Sequence, residues 1–200
     1  MADILAGGKP SLIIESGEPD WLSPIPLDHD GTWMIRISDR SITPNPNELL
    51  IHPPSLVVGV GCERDCAPDE LRELVVETLA DARLAPQSVR AIVSIDVKAD
   101  EPAVHTLAEG LGVPARFFNA AELEAESPRL ENPSDIVFRE VGAHGVSEAA
   151  ALAATGPKGM LIVAKRKSRR ATCAVARGPH IDVRQIGRSR GHLSIVGTGP

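Results

Sequence analysis

A chain of 200 residues with 42% hydrophobic content allows one ordinary domain plus a smaller unit, or two small domains. Its 27 acidic against 21 basic side chains give a net charge of -6, and aromatics make up 2% with no tyrosine, which argues against nucleic acid as a partner. Three cysteines at irregular spacing do not make a disulfide framework, MADILAGGKP lacks the basic and apolar regions of a signal peptide, and no apolar run reaches bilayer length, so a reduced, cytoplasmic setting without a membrane partner is expected.

Residues 1–53 read as a small loop-rich segment. SGEPDWLSPIPLDHDG and TPNPNELLIHPP are rich in proline, aspartate and asparagine, and only SLIIE (11–15) and WMIRIS (33–38) look like strands. From Leu56 onward, strand-like runs (LVVGVG, AIVSIDV, ARFF) alternate with helix-like ones (PDELRELVVETLADARL, EPAVHTLAEGLG, VSEAAALAA). Leu71, Leu74, Val75, Leu79 and Ala82 draw one helical stripe, and Val104, Leu107, Ala108 and Leu111 draw another. Nearly unbroken apolar strands between amphipathic helices predict an α/β fold with a mostly parallel sheet covered on both faces. MLIVAKRKSRRATCAVAR breaks that rhythm and predicts a hairpin with KRKSRR at its tip. RGPHIDVRQIGRSRG has no periodicity and reads as a tether, and HLSIVGTGP closes the chain as an apolar strand running into a glycine turn.

Chemistry in such sheets gathers at the carboxyl ends of strands. Gly59, Gly61 and Cys62 follow the first strand, and Ser94, Asp96, Lys98 and Glu101 follow the second. A helix N-terminus at Pro68 would lower the Cys62 thiol pKa if the two were in line; a small buried cysteine is the plainer reading. Cys62 and Cys66 make a weak zinc pair, and no metal site is expected. No histidine follows Cys62 at a spacing that suggests a base, which points to a site-lining thiol rather than a nucleophile. Alternation in SIDVKADEP would put Ser94, Asp96 and Lys98 on one side of an extended segment, where they could bind a polar substrate and move a proton; the plainer alternative is a solvated strand end with Asp100 capping the next helix. His144 and Glu148 fall one helical turn apart at a helix start, with capping and packing as their default role. Lys98, Lys165, Arg166 and Lys167 are candidate partners for the carboxylates of a small molecule.

The series GVGCER, SIDVKADEP, VGAHGVSEAAALAA and KRKSRRATCAVAR, in this order and spacing, resembles the carboxy-terminal domain of the CbiG/CobE family of cobalamin-biosynthesis proteins over residues 54–177. Residues 1–53 resemble the family's middle domain, and the resemblance implies no counterpart of its amino-terminal domain within these 200 residues. The resemblance implies a three-layer α/β/α main domain and a corrinoid or precorrin intermediate as ligand. Gly59, Gly61, Cys62, Ser94, Lys98, Glu101, Gly142, Glu148, Lys165 and Thr172 match the family pattern. Glu63 and Asp65 depart from it, standing where the family usually has an arginine and a glycine.

Residues 192–200 resemble the opening strand and first glycine loop of tetrapyrrole methyltransferases. Residues 178–200 therefore read as a linker and the truncated start of a fused precorrin-3B 17-methyltransferase, whose missing domain would use S-adenosylmethionine. The function this implies is a module, without a cofactor of its own, that binds a corrinoid and hands it to the methyltransferase. The alternative is a cobalt-precorrin-5A hydrolase that opens the ring-A lactone and releases acetaldehyde. In that reading Glu101 or Glu148 acts as base and Lys98 stabilises the oxyanion.

Overall fold

The structure, a computed structural model, describes residues 8–18 and 20–190. The amino-terminal segment forms a three-stranded parallel sheet of β1 (Ser11–Ile14), β2 (Met34–Ile37) and β3 (Glu48–Ile51). Leu22, Ile35 and Ile37 form its own small core, backed by Leu12, Ile25, Leu49 and Ile51. On the other face of β2, Arg36 lies between the carboxylates of Glu15 and Glu48. The sequence reading missed β3, because ELLI is a four-residue run set among prolines and asparagines.

The main sheet has the order β6-β5-β4-β8-β7, with β4 at Leu56–Cys62, β5 at Val89–Ile95, β6 at Ala115–Phe118, β7 at Met160–Lys167 and β8 at Ala171–Arg177. β4, β5 and β6 pair in parallel, whereas β8 is antiparallel to both β4 and β7. Two helices, α1 (Pro68–Asp81) and α2 (Pro102–Leu111), cover one face through Leu71, Leu74, Val75, Leu79, Val104 and Leu107, which meet Leu56, Val58, Val60 and Ile92. Two short helices follow β6, α3 (Ala120–Glu124) and α4 (Asp135–Val141), and then α5 (Ser147–Thr155). Ala149, Ala150 and Ala154 of α5 and Leu123 of α3 pack on the other face against Val57, Ala91, Val93 and Ile95. The result is the expected three-layer α/β/α arrangement, and strand alternation sends neighbouring residues of β4 to opposite layers.

The small sheet is joined to the main domain by polar groups. Asp39, 1% exposed, accepts two hydrogen bonds from the Arg177 guanidinium and one from the Ser55 hydroxyl. Its amide donates to the Ser16 hydroxyl, and its carbonyl accepts from the Ala85 amide. Ser41 and Arg83 continue this pairing beside the bridge between Arg40 and Leu84.

Residues 178–188 do not behave as a free tether. Gly178 donates to the Ser55 carbonyl, Ile181 is buried in the α5-side core with Val183 and Ile186 beside it, and Arg188 pairs with Phe117 of β6 in both directions. Three apolar residues spread through a polar stretch show no period, yet each finds the core. The apolar strand read at residues 192–200 lies outside the described residues.

Candidate functional site

The polar groups that the sequence places after β4 and β5 converge at one point. β5 stops at Ile95, and residues Asp96–Lys98 form a single 3-10 turn rather than extended chain, so strand alternation does not carry past Ile95. Asp96 is exposed, and the turn brings Lys98 back toward Glu101, the residue at which α2 begins. The Lys98 Nζ lies 3.6 Å and the Arg64 Nη1 3.8 Å from the same Glu101 oxygen. Both are beyond hydrogen-bonding distance. The Glu101 carboxylate is fully buried, and neither oxygen has a hydrogen-bond partner among the described residues. Lys98 is itself largely covered, its side chain 15% exposed. Asp100 does not cap α2: its carboxylate takes a 2.7 Å hydrogen bond from Arg64, which also donates to the Val97 carbonyl.

Cys62 lines this cluster from the end of β4. Burial pushes its thiol up to about 11, against the opposing pull of the Lys98 charge. Desolvation therefore outweighs any helix N-terminus, and the lowered pKa considered from the sequence does not arise. Asp65 takes φ +55°, the left-handed region in which a glycine rests without strain and aspartate is tolerated. Glu63 is bound by Arg170 of the hairpin at 2.9 Å.

Other expected site residues have structural partners. A Cβ at Gly59 would stand 1.9 Å from the Ser147 carbonyl oxygen, so this glycine lets α5 lie against β4. At Gly61 the nearest atom would be the Thr172 hydroxyl at 2.9 Å, and that hydroxyl donates to the Gly61 carbonyl. The buried Ser94 hydroxyl donates to the Val60 carbonyl at 2.7 Å and braces β5 against β4. Gly142 ends α4 in a left-handed conformation, φ +77°. Glu148 accepts four hydrogen bonds, from the amides of Glu131, Asn132 and Lys165 and the side-chain amide of Asn132. Burial raises its carboxyl, but these donors outweigh it and hold the group below the usual carboxylate range. A carboxylate so occupied is a poor proton acceptor, which removes Glu148 as the expected base. The Lys165 Nζ donates to the Asn132 carbonyl and fastens the same loop.

His144 precedes α5 and bonds Glu124 through Nδ1 at 2.9 Å, not Glu148, with its ring stacked on Phe138. In the hairpin Arg166 pairs with Asp81, and the Ser168 hydroxyl donates to Glu70. The sequence reading did not single out Arg64, although it stands two places after Cys62, and no signal marked Asn132. Among the described residues no group of three or more His, Cys, Asp and Glu side chains is placed to hold a metal ion. Two hollows, of about 300 and 730 Å³, open at the opposite end of the sheet.

The profile of the family described as cobalamin synthesis G C-terminus (CbiG C-terminus) matches residues 56–176. This chain belongs to that family. Within the CbiG C-terminal family, Protein CobE of Sinorhizobium sp is 49% identical over 124 residues, covering 62% of this chain and 80% of that protein. The cobalt-precorrin-5A hydrolase of Priestia megaterium is 34% identical over 134 residues, which is 67% of this chain. The chain spans 35% of that hydrolase's length. The crystal structure of CobE, a protein from the cobalamin (vitamin B12) biosynthetic pathway, superposes with a TM-score of 0.58 at 38% identity, covering 68% of this chain and 94% of the CobE chain. The chain is thus a cobalamin-biosynthesis protein of the CbiG/CobE type, and no helix among its described residues is long and apolar enough to cross a membrane.

Proposed function

We propose that this chain binds a precorrin or corrinoid intermediate at the carboxyl end of β4 and β5, and passes it to a fused or associated precorrin methyltransferase that would supply the S-adenosylmethionine site. The observation that carries the reading is the Glu101 cluster: a fully buried carboxylate and a largely buried lysine, 3.6 Å apart and without a hydrogen bond between them. Buried polar groups are normally satisfied, and such a pair is completed by a polar group that both accepts and donates. Lys98 would take an acetate or propionate arm of the ligand, strengthened by partial burial, while Glu101 holds the cation in place. A cytoplasmic location fits this role.

The same pair supports a second reading, hydrolysis of the lactone of cobalt-precorrin-5A, the activity named for two relatives. Water would attack the lactone carbonyl as Glu101 takes its proton, and Lys98 would stabilise the oxyanion. Collapse would break the ring C–O bond, and the departing alkoxide would take the proton.

Incubation with cobalt-precorrin-5A separates the readings. An absorbance change without acetaldehyde supports the binding module, acetaldehyde supports the hydrolase, and no change in either sinks both. Lys98→Glu should weaken binding at least tenfold, about 1.4 kcal/mol, and more than Arg166→Glu at the hairpin. Equal losses would mean a diffuse field, which moderate salt would abolish.

A further inference from the structure

The mouth of the Glu101 cluster runs between two pieces of chain, the loop of residues 63–65 after β4 and the turn of residues 96–101 after β5. Each is anchored on the side away from the mouth. Arg170 of the hairpin takes the Glu63 amide on its carbonyl, and its guanidinium donates to the carbonyls of Arg64 and Asp65 and to the Glu63 carboxylate. In the turn, the amides of Ala99 and Glu101 donate back to the carbonyls of Asp96 and Lys98, and the His105 Nε2 lies 2.8 Å from the Ala99 carbonyl. Among the described residues, the hydrogen bonds that cross from this loop to this turn all come from one side chain, that of Arg64, to the Asp100 carboxylate and the Val97 carbonyl.

We propose that Arg64 is a latch across this mouth, shut in the structure, which must leave Asp100 before a ligand reaches Lys98 and Glu101. The inference rests on the reading of this cluster as the ligand site and adds how that site opens. Glu101 is fully buried, both carboxylate oxygens included, so nothing from solvent touches them while the cover stays in place. The Arg64 Nη1 is contested by two carboxylates, at 2.7 Å from Asp100 and 3.8 Å from Glu101. The Asp100 side chain is 67% exposed, so water replaces the arginine when the latch leaves, and an exposed pair of this kind is weak enough to open readily. The guanidinium carries five donors in a fixed fork, so the released side chain can turn to an anionic arm of the ligand. Arg170 holds the backbone carbonyl of Arg64 meanwhile, so the hinge stays fixed and the side chain alone swings.

Alkylation of Cys62, which lines the same cluster, reads the latch without any ligand. Burial raises this thiol, and the Lys98 and Arg64 charges draw it down. Loss of the Arg64 charge alone would therefore leave less thiolate and slow the reaction, whereas an open mouth speeds it. With iodoacetamide at neutral pH and peptide mass mapping, Arg64→Ala should react at Cys62 about threefold faster or more, the size expected when an exposed ion pair no longer holds a local opening shut. Cys173, buried on β8, should be unchanged. Cobalt-precorrin-5A should enter Arg64→Ala faster than the unaltered protein in stopped-flow absorbance, although the site has lost a cation. An unchanged or slower Cys62, slower entry of the ligand, or an equal acceleration at Cys173, which reports general loosening, would each overturn the latch. If cobalt-precorrin-5A gave no absorbance change with either form, the binding reading would fall while the alkylation rates still decided the latch. Arg64→Met, which keeps the length of the stem without its donors, carries the same expectation should Arg64→Ala fail to fold.

Discussion

Glu148 and Glu101 are both buried carboxylates, yet their surroundings differ: one is surrounded by hydrogen-bond donors and the other has none within bonding distance. Four donors converge on Glu148, so Glu148→Gln, which turns one acceptor into a donor facing other donors, should cost about 3 kcal/mol of unfolding free energy in urea titrations. Because the folded carboxyl sits below its ordinary value, its contribution is complete above the usual carboxylate pKa and is lost as pH falls through the folded value. The gap between the unaltered protein and Glu148→Gln should therefore close in acid, and a gap constant with pH would contradict that role. Cys62 gives a residue-scale test of its own. With its thiol raised to about 11, it should react with iodoacetamide at neutral pH far more slowly than a free thiol in the same buffer. Alkylation at the free-thiol rate would place it outside the buried cluster.

At the level of elements, the close approach of α5 to β4 depends on Gly59. Gly59→Ala must move the Ser147 carbonyl and should cost 3 kcal/mol or more, about the upper range for overpacking a core. Gly110, exposed within α2, would have nothing within 4 Å of an added Cβ, so Gly110→Ala should raise stability by about 0.5–1 kcal/mol in the same denaturant titration. Opposite signs at the two positions separate a packing glycine from an incidental one. The long periodic elements were legible because α1, α2 and β4 repeat their pattern over several turns or residues. The stretch β3 was not, since four residues among turn formers carry too little periodicity, and α3 and α4 are as short. Within the site, the sequence placed Lys98, Glu101 and Cys62 together, but alternation misled at Asp96–Lys98 because the strand ends one residue earlier and the chain coils. Which carboxylate is satisfied and which is not depends on Asn132 and Lys165, far from Glu148 in the chain, and no local pattern reports that.

Across the whole molecule, residues 178–188 run from the end of β8 over the α5-side core to the β6 edge of the main sheet. Ile181→Ala should lower stability by about 2 kcal/mol if that segment belongs to the folded unit, and by a few tenths if it were a loose tether, which thermal melts would distinguish. The pairing of Arg188 with Phe117 also has a consequence for how molecules of this protein meet one another in solution. An outer strand with free backbone groups can recruit a second chain and begin aggregation. On the β6 side the chain's own return occupies part of those groups, and on the β7 side, which pairs with β8 alone among the described strands, Lys165, Arg166 and Lys167 stand in a row. Two copies brought together along β7 would set these basic side chains against their own counterparts, which opposes pairing of one molecule with another at that edge.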